Sequence, residues 1–262
     1  MEKTDSASAG TEHAMETAQE DPFRSRDLLT TEQSLRILGE AEIELLGRMP
    51  YSSNGTFLCD LELGDDVPAQ AIYKPLAGER PLWDFPGSLY KREIAAFLLS
   101  DQMGWDHVPP TIERDGPLGV GSLQLFVPAD FTEHYFTLMD DRSLHDDLMR
   151  ICAFDFVANN TDRKSGHVLL GEHGNIWAID NGLSFHAEFK LRTVIWEFAG
   201  DPLPPEITDA LCLLLDNGIA DPLSELLDPF ERDAVGTRAR ALLSEGHFPI
   251  DHSGRRYPWP MV

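Results

Sequence analysis

Residues 159–182 read NNTDRKSGHVLLGEHGNIWAIDNG. Two apolar runs, HVLLG and NIWAID, flank the turn EHG, the pattern of a short hairpin. Polar motifs close both ends, TDR ahead of the first run and DNG at the end of the second. Antiparallel pairing sets the start of one strand beside the end of the next. Asp162 and Asp180, 18 positions apart, are therefore expected to converge. Carboxylates brought together repel unless a cation joins them. Phosphoryl transfer uses such a pair: one carboxylate orients or deprotonates the acceptor hydroxyl, and another holds Mg²⁺ against nucleotide phosphates. Each Asp also has a purely structural reading. Asp162 could end the preceding helix and pair with Arg163, and Asp180 could be an Asx-turn residue ahead of Asn181-Gly182.

Upstream, the chain reads as short alternating runs. EIELLGRM, TFLCDLEL and AQAIYK are strand-like, the last two joined by LGDDVP, and VPPTIER and GSLQLFVP follow later. Between them SLYKREIAAFLLSDQM has helical spacing. A first helix through SLRILGEA is expected to take Thr31 as its N-cap. Downstream, LHDDLMRICAFDFVA, PPEITDALCLLLDN, LSELL and DPFERDAVGTRARALLSEG read as helices. The expectation is an α+β fold: a disordered acidic tail over 1–27, a sheet-rich lobe over 28–130 and a mainly helical lobe over 131–262.

Three further features of the first lobe bear on chemistry. Lys74 ends a strand in AIYKP, and a phosphate-gripping lysine needs a carboxylate to fix it, which Glu93 on the next helix supplies. Lys91 and Arg92 beside Glu93 leave open that this is a solvated helix face. The turn MPYSSNGTF, with Ser53 and Gly55, can lay backbone N–H groups over phosphates or be a plain hairpin turn. SLQLFVP ends at Phe126 and Val127, where a strand leaving the lobe can meet an adenine edge or simply continue the core.

The charge balance narrows the partners. With 21 Lys and Arg against 45 Asp and Glu the net charge is −24, a field that repels nucleic acid and, with no polybasic segment, gives no stable hold on an anionic membrane. Cys59, Cys152 and Cys212 form no ligand cluster or disulfide framework, and no leader-like apolar run opens the chain, so a reducing, cytoplasmic location is expected.

In this order, YKP, Glu93, SLQLFVP, NNTDR and AIDNG resemble the type II phosphatidylinositol 4-kinases and their bacterial relatives. That group lies within the phosphatidylinositol 3/4-kinase-like branch of the protein-kinase fold, and the chain most resembles an actinobacterial family of that branch over about residues 35–245. The resemblance implies a two-lobed protein-kinase-like fold binding ATP with Mg²⁺ or Mn²⁺. It makes Lys74 the phosphate lysine, Glu93 its partner, Phe126 and Val127 the hinge, Asp162 with Arg163 the catalytic loop, and Asp180 the metal-binding Asp of a DNG in place of DFG. Where the family carries an Asn ligand five residues after the catalytic Asp, this chain has His167. That implies Mn²⁺ use, a one-metal mechanism, lost catalysis, or a core histidine, with Asn159 and Asn160 near enough to substitute. FHAEFKLRTVIWEFAGDPLPP stands where kinases bind acceptors, with Trp196 and Phe198 either shaping that pocket or packing the lobe. The expected activity is transfer of the ATP γ-phosphate to a hydroxyl of a protein or soluble small molecule. AMP transfer and a nucleotide-binding pseudokinase acting through a partner are the alternatives.

Overall fold

The computed structural model describes residues 23, 27–50, 52–64 and 68–262. The expected tail, 1–27, therefore lies outside the described residues except for Phe23 and Asp27, as does the middle of the LGDDVP turn.

Helix α1 (Thr31–Glu40) is capped by Thr30, not by Thr31. Thr30 accepts from Gln33 N at 3.1 Å while Gln33 Oε1 accepts from Thr30 N at 2.9 Å. This reciprocal box requires Gln or Glu three residues after the cap, which Thr31 lacks. Five strands follow: β1 (Glu42–Arg48), β2 (Phe57–Glu62), β3 (Ala69–Pro75), β4 (Thr111–Gly116) and β5 (Gly119–Leu125). They pair antiparallel in the order β1-β2-β3-β5-β4. Alternation along β3 sends Ala69, Ala71 and Tyr73 toward Ile37 and Leu38 of α1, where they share a core with Cys59, Leu61, Leu123 and Leu125. Gln70, Ile72 and Lys74 take the opposite face. A Cβ on Gly121 would stand 2.4 Å from the Lys74 carbonyl oxygen, so only glycine lets β5 run this close to β3 beside Lys74.

Helix α2 (Leu89–Gln102) connects the sheet to the rest of the molecule. Its Ala95, Phe97 and Leu99 belong to the larger core, which continues through α3 (Tyr135–Leu138), α4 (His145–Ala158), α5 (Pro205–Asn217), α6 (Asp221–Leu226) and α7 (Pro229–Glu245). Arg92 is buried, donating to the Ser184 carbonyl at 2.6 Å and pairing with Glu231 of α7. The KRE run is therefore not a solvated face.

The decisive hairpin forms as β6 (Val168–Leu170) and β7 (Ile176–Ala178), paired Val168 to Ala178 and Leu170 to Ile176. Asn159 ends α4 in the left-handed region, at φ 57°, a conformation Asn tolerates better than most residues.

Candidate active site

The loop after α4 is held by its own amides. Asn159 Nδ2 donates to the carbonyls of His186 and Glu188 at 2.8 and 2.7 Å, and its Oδ1 accepts from Lys190 N at 2.8 Å. Asn160 Oδ1 accepts from Asp162 N at 2.9 Å. Both side chains are buried and engaged in shaping the loop, so the structure does not present either as a metal ligand.

That loop presents Asp162 half-buried, with Lys164 Nζ 3.1 Å from its Oδ2. Burial raises its carboxyl above the usual Asp range, Lys164 opposes this, and the charge of Asp180 adds to the rise. Contacts run from one aspartate toward the other: Lys164 Nζ holds Asp162, the Lys164 backbone N lies 3.4 Å from His167 Nδ1, and His167 Nε2 lies 3.4 Å from Asp180 Oδ2.

Asp180 sits two residues after the end of β7 with φ 57°, a left-handed conformation for a non-glycine residue. Its Oδ1 is 2.8 Å from Lys74 Nζ and its Oδ2 3.4 Å from His167 Nε2, yet the side chain stays 52% exposed. Lys74 holds the Asp180 carboxyl well below the usual range, against the effect of burial. Burial alone would lower Lys74, but Asp180 and Glu93 together keep it above the ordinary lysine value. Lys74 pairs with Glu93 Oε1, and Glu93 Oε2 accepts the Asn181 amide at 2.9 Å. One lysine of the sheet thus bridges α2 and the DNG turn.

Arg163, expected beside Asp162 in a catalytic role, points the other way. It is fully buried, with Nε 3.1 and 3.0 Å from the two oxygens of Asp155 and Nη2 2.9 Å from Oδ1. Nη2 also donates to Asn181 Oδ1 and Nη1 to the Ile179 carbonyl, each at 2.6 Å. Its guanidinium ties α4 to the DNG turn and does not face the cleft; it positions Asp180 through Asn181.

Asp155 and Asn181 were not singled out from the sequence. Asp155 left a trace there, a lone carboxylate in the apolar run ICAFDFVA, which burial permits only with a partner. Asn181 left none beyond its place in DNG.

The turn carrying Ser53 and Gly55 lies against the loop after Lys74. Gly55 N donates to the Gly78 carbonyl at 2.8 Å, and a Cβ on Gly55 would meet Gly78 Cα at 2.9 Å. The Gly55 amide is thus engaged by the protein and does not face a phosphate; Ser53 is exposed at the same turn. Phe126 and Val127 are both buried, with Phe126 N donating to the Gln70 carbonyl at 2.9 Å and Val127 lining a cavity with Leu29, Pro128 and Trp177. Phe198 is core, and Trp196 Nε1 donates to the Arg256 carbonyl at 3.3 Å, so both pack the lobe.

Among the described residues no group of three or more His, Cys, Asp and Glu side chains stands together as a protein-only metal cage. Mg²⁺ and its analogues rarely use one; they take one or two protein ligands and complete the sphere with phosphates and water. Asp180 fits that use as an ionised, half-exposed carboxylate. His167 fits as an imidazole that burial, despite Asp180, lowers to about 4 and so keeps neutral. Its Nδ1 lies 3.4 Å from Lys164 N, leaving Nε2 toward Asp180.

An antiparallel sheet with a bridging helix, a helical lobe, and Lys74, Glu93 and Asp180 joined across the junction define a protein of kinase-like fold. Solved structures agree at the level of the fold. A Fam20 protein of hydra, with sugar, matches 82% of this chain and 87% of its own at a TM-score of 0.53 and 15% identity. The Golgi casein kinase with Mn/ADP bound matches 88% of this chain and 80% of its own at a TM-score of 0.50 and 15% identity. No family model matches the sequence. Protein Rv2133c of Mycobacterium tuberculosis is 40% identical over 262 residues, spanning 86% of this chain and 94% of its own, and this chain belongs to its family. The similarity to kinases is thus to an atypical kinase-like fold, and the neighbours do not single out the phosphatidylinositol kinases. Among the described residues no helix is long and apolar enough to cross a membrane.

Proposed function

We propose that the chain is an ATP-dependent phosphotransferase that moves the γ-phosphoryl group to a hydroxyl. The observation that carries this reading is the Lys74 ammonium, fixed between Glu93 and Asp180 at 2.8 Å from the latter, where it can grip phosphates beside a metal-binding carboxylate. Asp162 accepts the proton of the acceptor hydroxyl as its oxygen bonds to phosphorus and the bond to the ADP oxygen breaks. Its raised carboxyl makes it a stronger base than an ordinary Asp. Asp180 and His167 would hold a divalent ion, which supplies charge neutralisation of the phosphates. The Mn/ADP bound to the Golgi casein kinase supports the same cofactors here. The motif order fits the phosphatidylinositol 3/4-kinase-like group, but the net charge of −24 favours a protein or soluble small-molecule acceptor over a lipid in a bilayer.

The test is nucleotide binding and label transfer. ADP with Mn²⁺ or Mg²⁺ should raise the unfolding temperature of the wild type and leave Asp180→Asn unmoved. Asp162→Asn should keep binding and lose turnover. Radiolabel should move from the γ-position; transfer of an α-label would establish AMP transfer instead, and the absence of metal-dependent binding would end the enzyme reading.

A further inference from the structure

Phe23 is the single aromatic residue in the first fifty positions of the chain. Its ring lies on Phe126, the residue just after β5, with centroids 5.1 Å apart and an interplanar angle of 9°. Phe131 flanks it at 5.4 Å and 44°. The register of β3 on β5 shows which face this is. Ile72 opposes Gln124 and Lys74 opposes Ser122, and the Phe126 amide extends the ladder one step by donating to Gln70. Directly opposed residues of an antiparallel pair share a face. Phe126 therefore lies on the face of Gln70, Ile72 and Lys74, the face on which Lys74 reaches Asp180.

For a nucleotide whose phosphates meet Lys74, Phe126 is the aromatic surface that this face offers a purine base toward the end of β5. Phe23 already covers that surface with a nearly parallel ring. We infer that Phe23 is a displaceable clasp that holds the base-stacking position at Phe126, so that nucleotide binds only when the clasp opens. This rests on the nucleotide reading above and adds a control to it. A ligand admitted only by the open state binds more weakly by the fraction of time the site is open. One stacked aromatic pair corresponds to roughly a two- to tenfold effect.

The experiment measures dissociation constants of ADP and of inorganic pyrophosphate, each with Mn²⁺, for the full chain and for Phe23→Ala and Phe23→Trp. Phe23→Ala should bind ADP about two- to tenfold more tightly, and Phe23→Trp, with a larger stacking surface, more weakly than the wild type. Pyrophosphate has no base and should bind all three alike. ADP affinity that is unchanged or weaker in Phe23→Ala, with pyrophosphate still binding, overturns the clasp and leaves the nucleotide reading standing. If neither ligand binds any of the three proteins, the nucleotide reading falls and the clasp falls with it.

Discussion

Replacing Arg163 by Met tests the buried frame beneath the site. The guanidinium has no solvent exposure and makes five side-chain contacts: three to Asp155 at 2.9 to 3.1 Å, and one each to Asn181 and the Ile179 carbonyl at 2.6 Å. Met fills a similar volume but offers no donor, so Asp155 is left as a buried carboxylate without its countercharge, with the Thr193 hydroxyl at 3.2 Å and the Asn160 side chain as neutral partners. Breaking a buried pair from one side costs about 3–5 kcal/mol. Against a typical stability of about 5–15 kcal/mol, that is about a fifth or more of the total. Removing both charges, as Arg163→Met with Asp155→Leu, takes away the uncompensated carboxylate. The Ile179 carbonyl and Asn181 still lack the Arg163 donor, at about 1–3 kcal/mol each, so recovery is partial. Urea unfolding of wild type, both single variants and the double variant, followed by far-UV circular dichroism, gives the coupling energy. The reasoning is refuted if Arg163→Met costs under about 1 kcal/mol, or if the double variant is no more stable than Arg163→Met. A folded double variant should still bind Mn-ADP poorly, because the turn that aims Asp180 has lost its tether.

Two further outcomes follow from titrating groups. Lys164 lowers the Asp162 carboxyl against the effect of burial, and a base works only when ionised, so Lys164→Met should move the acid limb of the kcat/KM profile to higher pH; an unmoved limb would remove Asp162 as the base. His107, packed against Phe154 and Trp105, is lowered by burial from 6.5 to about 3. The unfolded chain takes up that proton near pH 6.5 and the folded chain does not, so the stability present above pH 6.5 should fall as pH drops toward 3, by about 2 kcal/mol at pH 5. His107→Phe should flatten this slope in urea midpoints at pH 7 and 5, and an unchanged slope would place the acid sensitivity elsewhere.

How far the residues announced this structure depends on the range of the interaction. The hairpin of β6 and β7 was legible because a period of two and a Gly-containing turn are local signals. Lys74 and Glu93 were legible as a pair because a strand and the next helix must pack, although the fourth member of their cluster, the Asn181 amide, comes from 88 positions away. Arg92 was not legible. It adjoins Lys91 in a run that reads as solvated, and helical periodicity cannot identify a buried face on a helix packed by both lobes. The Arg163–Asp155 pair escaped for a related reason. Arg163 adjoins Asp162, and nothing in neighbour order shows that its side chain turns inward while that of Asp162 turns outward. The Thr30 cap lay within reach, since Gln33 sits at the spacing a capping box needs.

These contacts form one chain of links from the sheet to the helical core. Lys74 is paired to Glu93, Glu93 accepts the Asn181 amide, Asn181 accepts from Arg163, and Arg163 grips Asp155 of α4. Each member except Lys74 is buried, and each has its charge or hydrogen-bonding group answered by the next. Asp180 lies beside this chain and adjoins Asn181, which Glu93, Arg163 and the Ala178 carbonyl fix in place. A strained residue persists only when its surroundings over-determine it. The surroundings here do so while leaving the Asp180 carboxylate itself half open to solvent. A turn needed only to lead the chain away from the hairpin would have no use for that arrangement, because an Asx-turn carboxylate is satisfied by its own backbone. The Asp180 oxygens instead face Lys74 and His167 across the junction of the lobes, where a phosphate-bound cation would find them.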